Sequence, residues 1–177
     1  GTLTVSAGTM GSGTVTFAGN STIGPVYGSF PVLANAVTVN PGVIATISSS
    51  NQYYGMSFSG VLSGSGTLQV SMGNGANGGV NAGFTNDSNL FTGTLIATGA
   101  GNVRVNSFAD STNAIRLGVG STFELGAGTA SSLIFSDRPL QLTGAAGTST
   151  ISNNNATATN IISLTQSLGY VSVTGNK

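Results

Sequence analysis

An all-β fold, its strands stacked as a parallel β-solenoid (β-helix), is what this sequence predicts; a β-sandwich or jelly roll is the alternative. Three observations lead there. Segments of four to six residues alternate apolar with polar side chains, the period-two signature of half-buried strands. Glycine, asparagine or serine interrupts them at short intervals, too often for a long helix, since an interior glycine costs a helix about 1 kcal/mol. A Gly-x-Gly corner followed by an alternating strand recurs, and a repeat unable to bury its own apolar face must stack on a neighbour. The clearest copies are Phe58-Ser59-Gly60-Val61-Leu62-Ser63-Gly64-Ser65-Gly66-Thr67-Leu68-Gln69-Val70 and Phe91-Thr92-Gly93-Thr94-Leu95-Ile96-Ala97-Thr98-Gly99-Ala100-Gly101-Asn102-Val103-Arg104-Val105.

Taken in order, Thr2-Leu3-Thr4-Val5-Ser6 and Thr14-Val15-Thr16-Phe17 read as strands. An irregular passage punctuated by Pro25, Gly28 and Pro31 follows. Ala36-Val37-Thr38-Val39 is stopped by the turn Asn40-Pro41-Gly42, and Val43-Ile44-Ala45-Thr46-Ile47 resumes the pattern. Met56-Ser57-Phe58 leads into the first Gly-x-Gly copy. Residues Met72 to Asn89 form a glycine-rich excursion, either a surface loop or a weak strand near Phe84. Beyond the second copy the predicted strands centre on Ile115, Phe123, Ile134, Leu140, Thr150, Ile162 and Val171. Coils of roughly 20 to 25 residues, spaced ~4.8 Å apart, would number about seven or eight. No internal boundary divides the chain, which reads as one domain over residues 1–177, complete in itself or a segment of a longer chain.

Composition narrows the function. Charged residues make up 5% of the 177, against roughly 25% in ordinary globular proteins. Four basic residues balance four acidic ones, so no field steers nucleic acid or anionic lipid. Histidine and cysteine are absent, which removes the commonest general base, the thiolate metal ligands and disulfides. No apolar run approaches the ~20 residues of a membrane helix, so no membrane insertion is expected. A nearly chargeless chain rich in Gly, Ser, Thr and Asn suits an extracellular or cell-surface β protein.

Over residues 56–106 the chain resembles the autotransporter-associated β-strand repeat of bacterial surface passengers. Phe58 to Leu68 resembles that family's F-S-G-x-I-x-G-x-G-x-L core, and Asn89-Leu90-Phe91-Thr92-Gly93-Thr94-Leu95 its N-x-Y-x-G-x-T continuation. The resemblance implies a right-handed parallel β-helix exported to the bacterial surface, with no catalytic residues to carry over. The chain departs from a complete autotransporter in showing no series of ~10-residue membrane-barrel strands.

Candidate sites are few. Among the carboxylates Asp87, Asp110, Glu124 and Asp137, a polysaccharide-cleaving arrangement would need Arg104, Asp110 and Arg116 to meet across adjacent coils. Solvated charges on outer faces are the plainer expectation. Asn86-Asp87-Ser88-Asn89 and Asp110-Ser111-Thr112-Asn113 carry oxygen ligands, but not in the Asp spacing of a dedicated calcium loop, and read as Asx turns. Thr-x-Thr pairs at Thr2/Thr4, Thr14/Thr16, Thr92/Thr94, Thr148/Thr150 and Thr157/Thr159 are spaced too irregularly to form one rank. Tyr53-Tyr54 offers rings that could stack on a sugar or pack at an interface.

The expectation is therefore a secreted, non-enzymatic protein with no cofactor and no metal. Its partner would be itself, as a homopolymer: a structural subunit joined end to end into an extracellular filament or surface rod. The junction would use Leu3 and Val5 at one end and Tyr170, Val171 and Val173 at the other. The alternative function is a carbohydrate- or host-binding module of a surface adhesin, with surface glycans as partners.

Overall fold

The computed structural model describes residues 1–6, 10–49, 54–72, 82–99, 102–109, 111–125, 132–143, 148–153, 159–165 and 170–175; towards the C-terminus it describes backbone pairing alone. No helix occurs among these residues, and every strand pair is parallel. That arrangement is a β-solenoid and excludes the sandwich and jelly roll, whose sheets are antiparallel.

The path is read from the strand order. β1 (Thr2–Val5) opens the first sheet, β2 (Val15–Phe17) the third, and β3 (Ser21–Pro25) returns to the first. The next coil passes through β4 (Val32–Leu33) in the second sheet, β5 (Val37–Val39) in the third and β6 (Ile44–Ser49) in the first. β7 (Met56–Phe58), β8 (Leu62–Gly64) and β9 (Thr67–Met72) repeat that circuit, as do β10 (Ala82–Phe84), β11 (Leu90–Phe91) and β12 (Thr94–Thr98). Above this the second sheet continues with β13 (Asn102–Val105), β15 (Thr122–Leu125), β17 (Thr148–Asn153) and β19 (Tyr170–Gly175). They alternate with β14 (Ile115–Gly118), β16 (Ser132–Thr143) and β18 (Thr159–Thr165) of the first sheet. The first sheet thus stacks eight strands, the second seven and the third four. One coil step spans from 20 residues (Thr2 to Thr22) to 28 (Thr122 to Thr150).

Parallel register places like upon like. Ile23, Ile47, Val70, Ala97, Leu117 and Leu142 form one inward column, and Ala45, Leu68, Leu95, Ile115 and Leu140 a second beside it. All eleven are buried. In the second sheet Phe58 lies under Phe84, their rings stacked at 5.2 Å. Each fully buried Leu, Ile or Phe contributes roughly 1.5–3 kcal/mol of transfer free energy, which drives coil closure.

The two Gly-x-Gly copies do not superpose as their sequences suggest. Gly64-Ser65-Gly66 turns from β8 into β9 of the first sheet, whereas the second copy's strand, β13, belongs to the second sheet. Phe91 stacks over Gly64 and not over Phe58, and Thr94 and Leu95 pair with Thr67 and Leu68. The physical reason is that a glycine corner plus an alternating strand fits any corner of the coil. What register does select is Gly93 directly above Gly66: a Cβ on Gly93 would sit 1.8 Å from the Gly66 carbonyl oxygen.

Two strand assignments also differ from expectation. The passage around Pro25 and Pro31 holds β3 and β4, whereas at Phe84 the strand alternative holds, as the buried β10. The segments around Ile134 and Leu140 are one long strand, β16, whose register shifts between Phe135 and Pro139. A proline is tolerated there because the irregularity already interrupts the ladder.

Candidate functional site

Among the described residues, charged side chains hold coils together. Arg104 on β13 and Glu124 on β15 are register partners; Arg104 Nε donates to Glu124 Oε1 at 2.9 Å, and Asn102 Nδ2 donates to Oε2 at 3.0 Å. Glu124 is buried. Arg116 lies on the first sheet, where its Nε donates to Gln141 Oε1 at 3.2 Å, one coil up. Arg104 and Arg116 therefore do not converge as the sequence allowed, because a corner separates β13 from β14; Asp110 lies outside the described residues. Among the described residues no group of three or more Asp or Glu gathers as a metal site would require.

The oxygen-rich turn at Asn86 to Asn89 is built as predicted from Asx chemistry. Ser88 N donates to Asn86 Oδ1 at 2.8 Å, closing an Asx turn. Asn86 Nδ2 reaches back to the Ser59 carbonyl, Asp87 accepts from Asn106 Nδ2, and Asn89 Oδ1 accepts the Leu62 N–H. These side chains bridge successive coils. In the second such stretch Asp110 lies outside the described residues, while Ser111 Oγ and Asn113 Nδ2 both donate to the Thr92 carbonyl, at 2.6 and 2.9 Å.

Arg138, on β16, was not singled out by the sequence reading and is among the largest fully buried side chains. Its guanidinium donates to the carbonyls of Phe91 (2.5 Å), Gly93 (2.8 Å), Ala109 (3.0 Å) and Asn113 (3.3 Å), and lies 5.1 Å from the Phe108 ring centroid. A signal was present: Arg138 shares the parity of the inward Leu140 and Leu142, so alternation points it into the core.

One outer surface carries a groove. Beside the lower strands of the first sheet a groove of about 370 Å³ is lined by the hydroxyl side chains of Thr2, Thr4, Thr22 and Ser48 and walled by Tyr27 and Tyr54. Thr2, Thr22 and Thr46 fall in one rank across successive coils, though the rank passes next to Gln69 and Ile96. It is not composed of Thr-x-Thr pairs, because register, not local sequence, aligns it. Gly24 forms the floor; a Cβ there would meet the Ser48 carbonyl oxygen. Tyr54 packs edge-on against Tyr27 at 5.0 Å and Phe30 at 5.6 Å. Tyr27 is 79% exposed and Phe30 62%. The Tyr54 phenol is held above its usual pKa, first by partial burial and then by the hydrogen-bonding and charge of the Tyr27 hydroxyl. Tyr53, the other half of the expected pair, lies outside the described residues. Tyr27 and Phe30 were missed by strand logic, although aromatics in a Gly/Pro turn have no sheet face on which to be buried.

The predicted junction residues are placed as follows. Leu3 is 47% exposed and Val5 is buried; both face inward on β1, beside a hollow of about 280 Å³ lined by Leu3, Val15, Phe17 and Ile23. Tyr170, Val171 and Val173 pair with Thr148, Ser149 and Ile151 on β17, and nothing of their side chains is among the described features.

Against known proteins, the chain matches no family model, no curated protein and no solved structure.

Proposed function

We propose that this chain is a structural β-solenoid subunit that stacks end to end into an extracellular filament or surface rod. The observation that carries the reading is the lower side of β1, on which no strand pairs among the described residues. Thr22 N donates to the Gly1 carbonyl and Val26 N to the Val5 carbonyl, so Leu3 and Val5 direct their peptide groups up to β3. Strand geometry then turns the N–H and C=O of Thr2 and Thr4 away from β3, beside half-exposed Leu3 and its apolar hollow. A further parallel strand laid there would complete the ladder and cover Leu3. The occupant in this reading is the upper edge of a second copy, β18 and β19, giving a heterologous contact that propagates. The near-absence of charge supports it, since little repulsion opposes end-to-end stacking. So does the use of Arg104, Glu124, Asn89 and Arg138 as coil-to-coil braces.

The test is light scattering and electron microscopy across a concentration series, with Thr4→Pro as the probe. Proline at Thr4 removes an N–H from the free edge and leaves the β3 ladder intact, whereas proline at Val5 would strike the internal ladder. Rods that shorten to monomers in Thr4→Pro are expected. A monodisperse wild-type monomer at high concentration, or rods indifferent to Thr4→Pro, would overturn the reading.

A further inference from the structure

The geometry points to a second, independent property: the groove beside Thr2, Thr22 and Tyr54 is a binding site for a neutral saccharide. Some outward hydroxyls on this solenoid are engaged in bracing neighbouring coils. Thr38 Oγ1 and Ser63 Oγ meet at 3.0 Å, while Thr92, Thr98 and Thr143 donate to the carbonyls of Gly64, Val70 and Leu117. Among the described residues no hydrogen bond engages the side chains of Thr2, Thr4, Thr22 or Ser48, so four donor–acceptor hydroxyls converge on one cavity with their capacity unused.

The lining selects the chemical class. Among the described residues no charged side chain borders the groove, so an anionic or cationic ligand would give up its hydration without a counter-charge. An apolar ligand would leave the hydroxyls desolvated and unpaired. A sugar ring satisfies both halves of the lining. Its C–H face can lie against Tyr27 and Tyr54, whose rings are held by edge-on contact with each other and with Phe30, while its hydroxyls exchange hydrogen bonds with threonine and serine. Strand geometry sets those protein hydroxyls on a grid of ~4.8 Å between coils and ~6.6 Å along a strand, a rigid array that needs little ordering on binding. At about 370 Å³ the groove is at the lower end of the ~300–1,000 Å³ usual for small-ligand sites, room for a short stretch of a glycan rather than a large cofactor.

The experiment is a calorimetric and NMR titration of the whole chain with neutral cello- and chito-oligosaccharides, and with oligogalacturonate as the acidic comparison. Saturable binding of at least one neutral series is expected, stronger than any binding of oligogalacturonate. Tyr27→Ala should weaken it at least tenfold, and Tyr27 is exposed enough that folding is retained. Thr4→Val, nearly isosteric and also exposed, should weaken it about three- to tenfold, the worth of one hydrogen bond. Absence of saturable binding by both neutral series, preference for the acidic one, or affinity unchanged in both variants would each overturn the assignment. Rod formation is measured separately, so failure of one proposal leaves the other standing.

Discussion

The lower coils, up to β12, run through three sheets; above them, among the described residues, the coils run through two. The two regions solve the same problem differently. In the lower region each short third-sheet strand is covered by the next, β2 by β5, β5 by β8 and β8 by β11, so backbone groups pair with backbone. At β11 that succession stops, and three consecutive carbonyls, of Phe91, Thr92 and Gly93, face a coil without a matching strand. Side chains take them up: Arg138 donates to the first and third, and Ser111 and Asn113 both donate to the second. A sheet inside a solenoid can therefore be ended by a buried guanidinium whose fork of donors replaces a ladder. The desolvation cost of burying Arg138 is offset because its donors meet four carbonyls and its face lies over Phe108.

The sharpest way to break this comparison is Arg138→Leu. It keeps apolar bulk but strands the Phe91 and Gly93 carbonyls in a dry site, and should cost roughly 3–5 kcal/mol by chemical denaturation. Hydrogen exchange should show the loss concentrated above β11, with β3, β6 and β9 still protected. A cost under about 1 kcal/mol would mean that Arg138 is not what ends the third sheet.

Gly93→Ala attacks the last place where the third side is still regular. Its Cβ would meet the Gly66 carbonyl oxygen in the coil below and the ring of Phe91 in its own coil. Overpacking against backbone typically costs about 1–3 kcal/mol, occasionally more. Gly19→Ala, whose Cβ would meet nothing within 4 Å, is the matched control and should change the denaturation midpoint little. Equal midpoints for the two variants would refute the register that puts Gly93 on Gly66.

How much of this was legible beforehand differs between the same two regions. The inward columns were readable because Val37, Ile47, Leu68 and Leu95 sit in plain period-two alternation. β3 was not, because Ser21-Thr22-Ile23-Gly24-Pro25 contains one large apolar residue, Ile23, and its strand is imposed by the neighbours on both sides. Pairing of like residues across coils was misread for a related reason. Phe58 stacks with Phe84, 26 residues away, across an excursion with no repeat to mark it, while the better sequence match, Phe91, belongs to a different sheet. The groove was half visible: Tyr54 stood out, but Thr22 became a neighbour of Thr2, and Ser48 of Gly24, only through coil steps of 20 and 24 residues. Register is a property of stacking, and local spacing does not encode it.

The mildest perturbation separates the regions by pH. Tyr54 lies in the lower region, and its phenol pKa is raised in the folded state above the ordinary value of about 10. For a group shifted in this direction, the associated stability is fully present below the unfolded pKa and is lost as pH rises through the folded one. Loosening should therefore begin only above about pH 10, and it should start at the Tyr27–Tyr54 contact. In Tyr27→Phe, NMR titration should find Tyr54 ionising at lower pH than in the parent chain, because the neighbouring hydroxyl and its charge are gone while the ring contact stays. The upper coils, braced by Arg138, should keep their exchange protection through the same pH interval. If Tyr54 titrates identically in both chains, burial alone sets its shift, and the two rings touch without their hydroxyls being coupled.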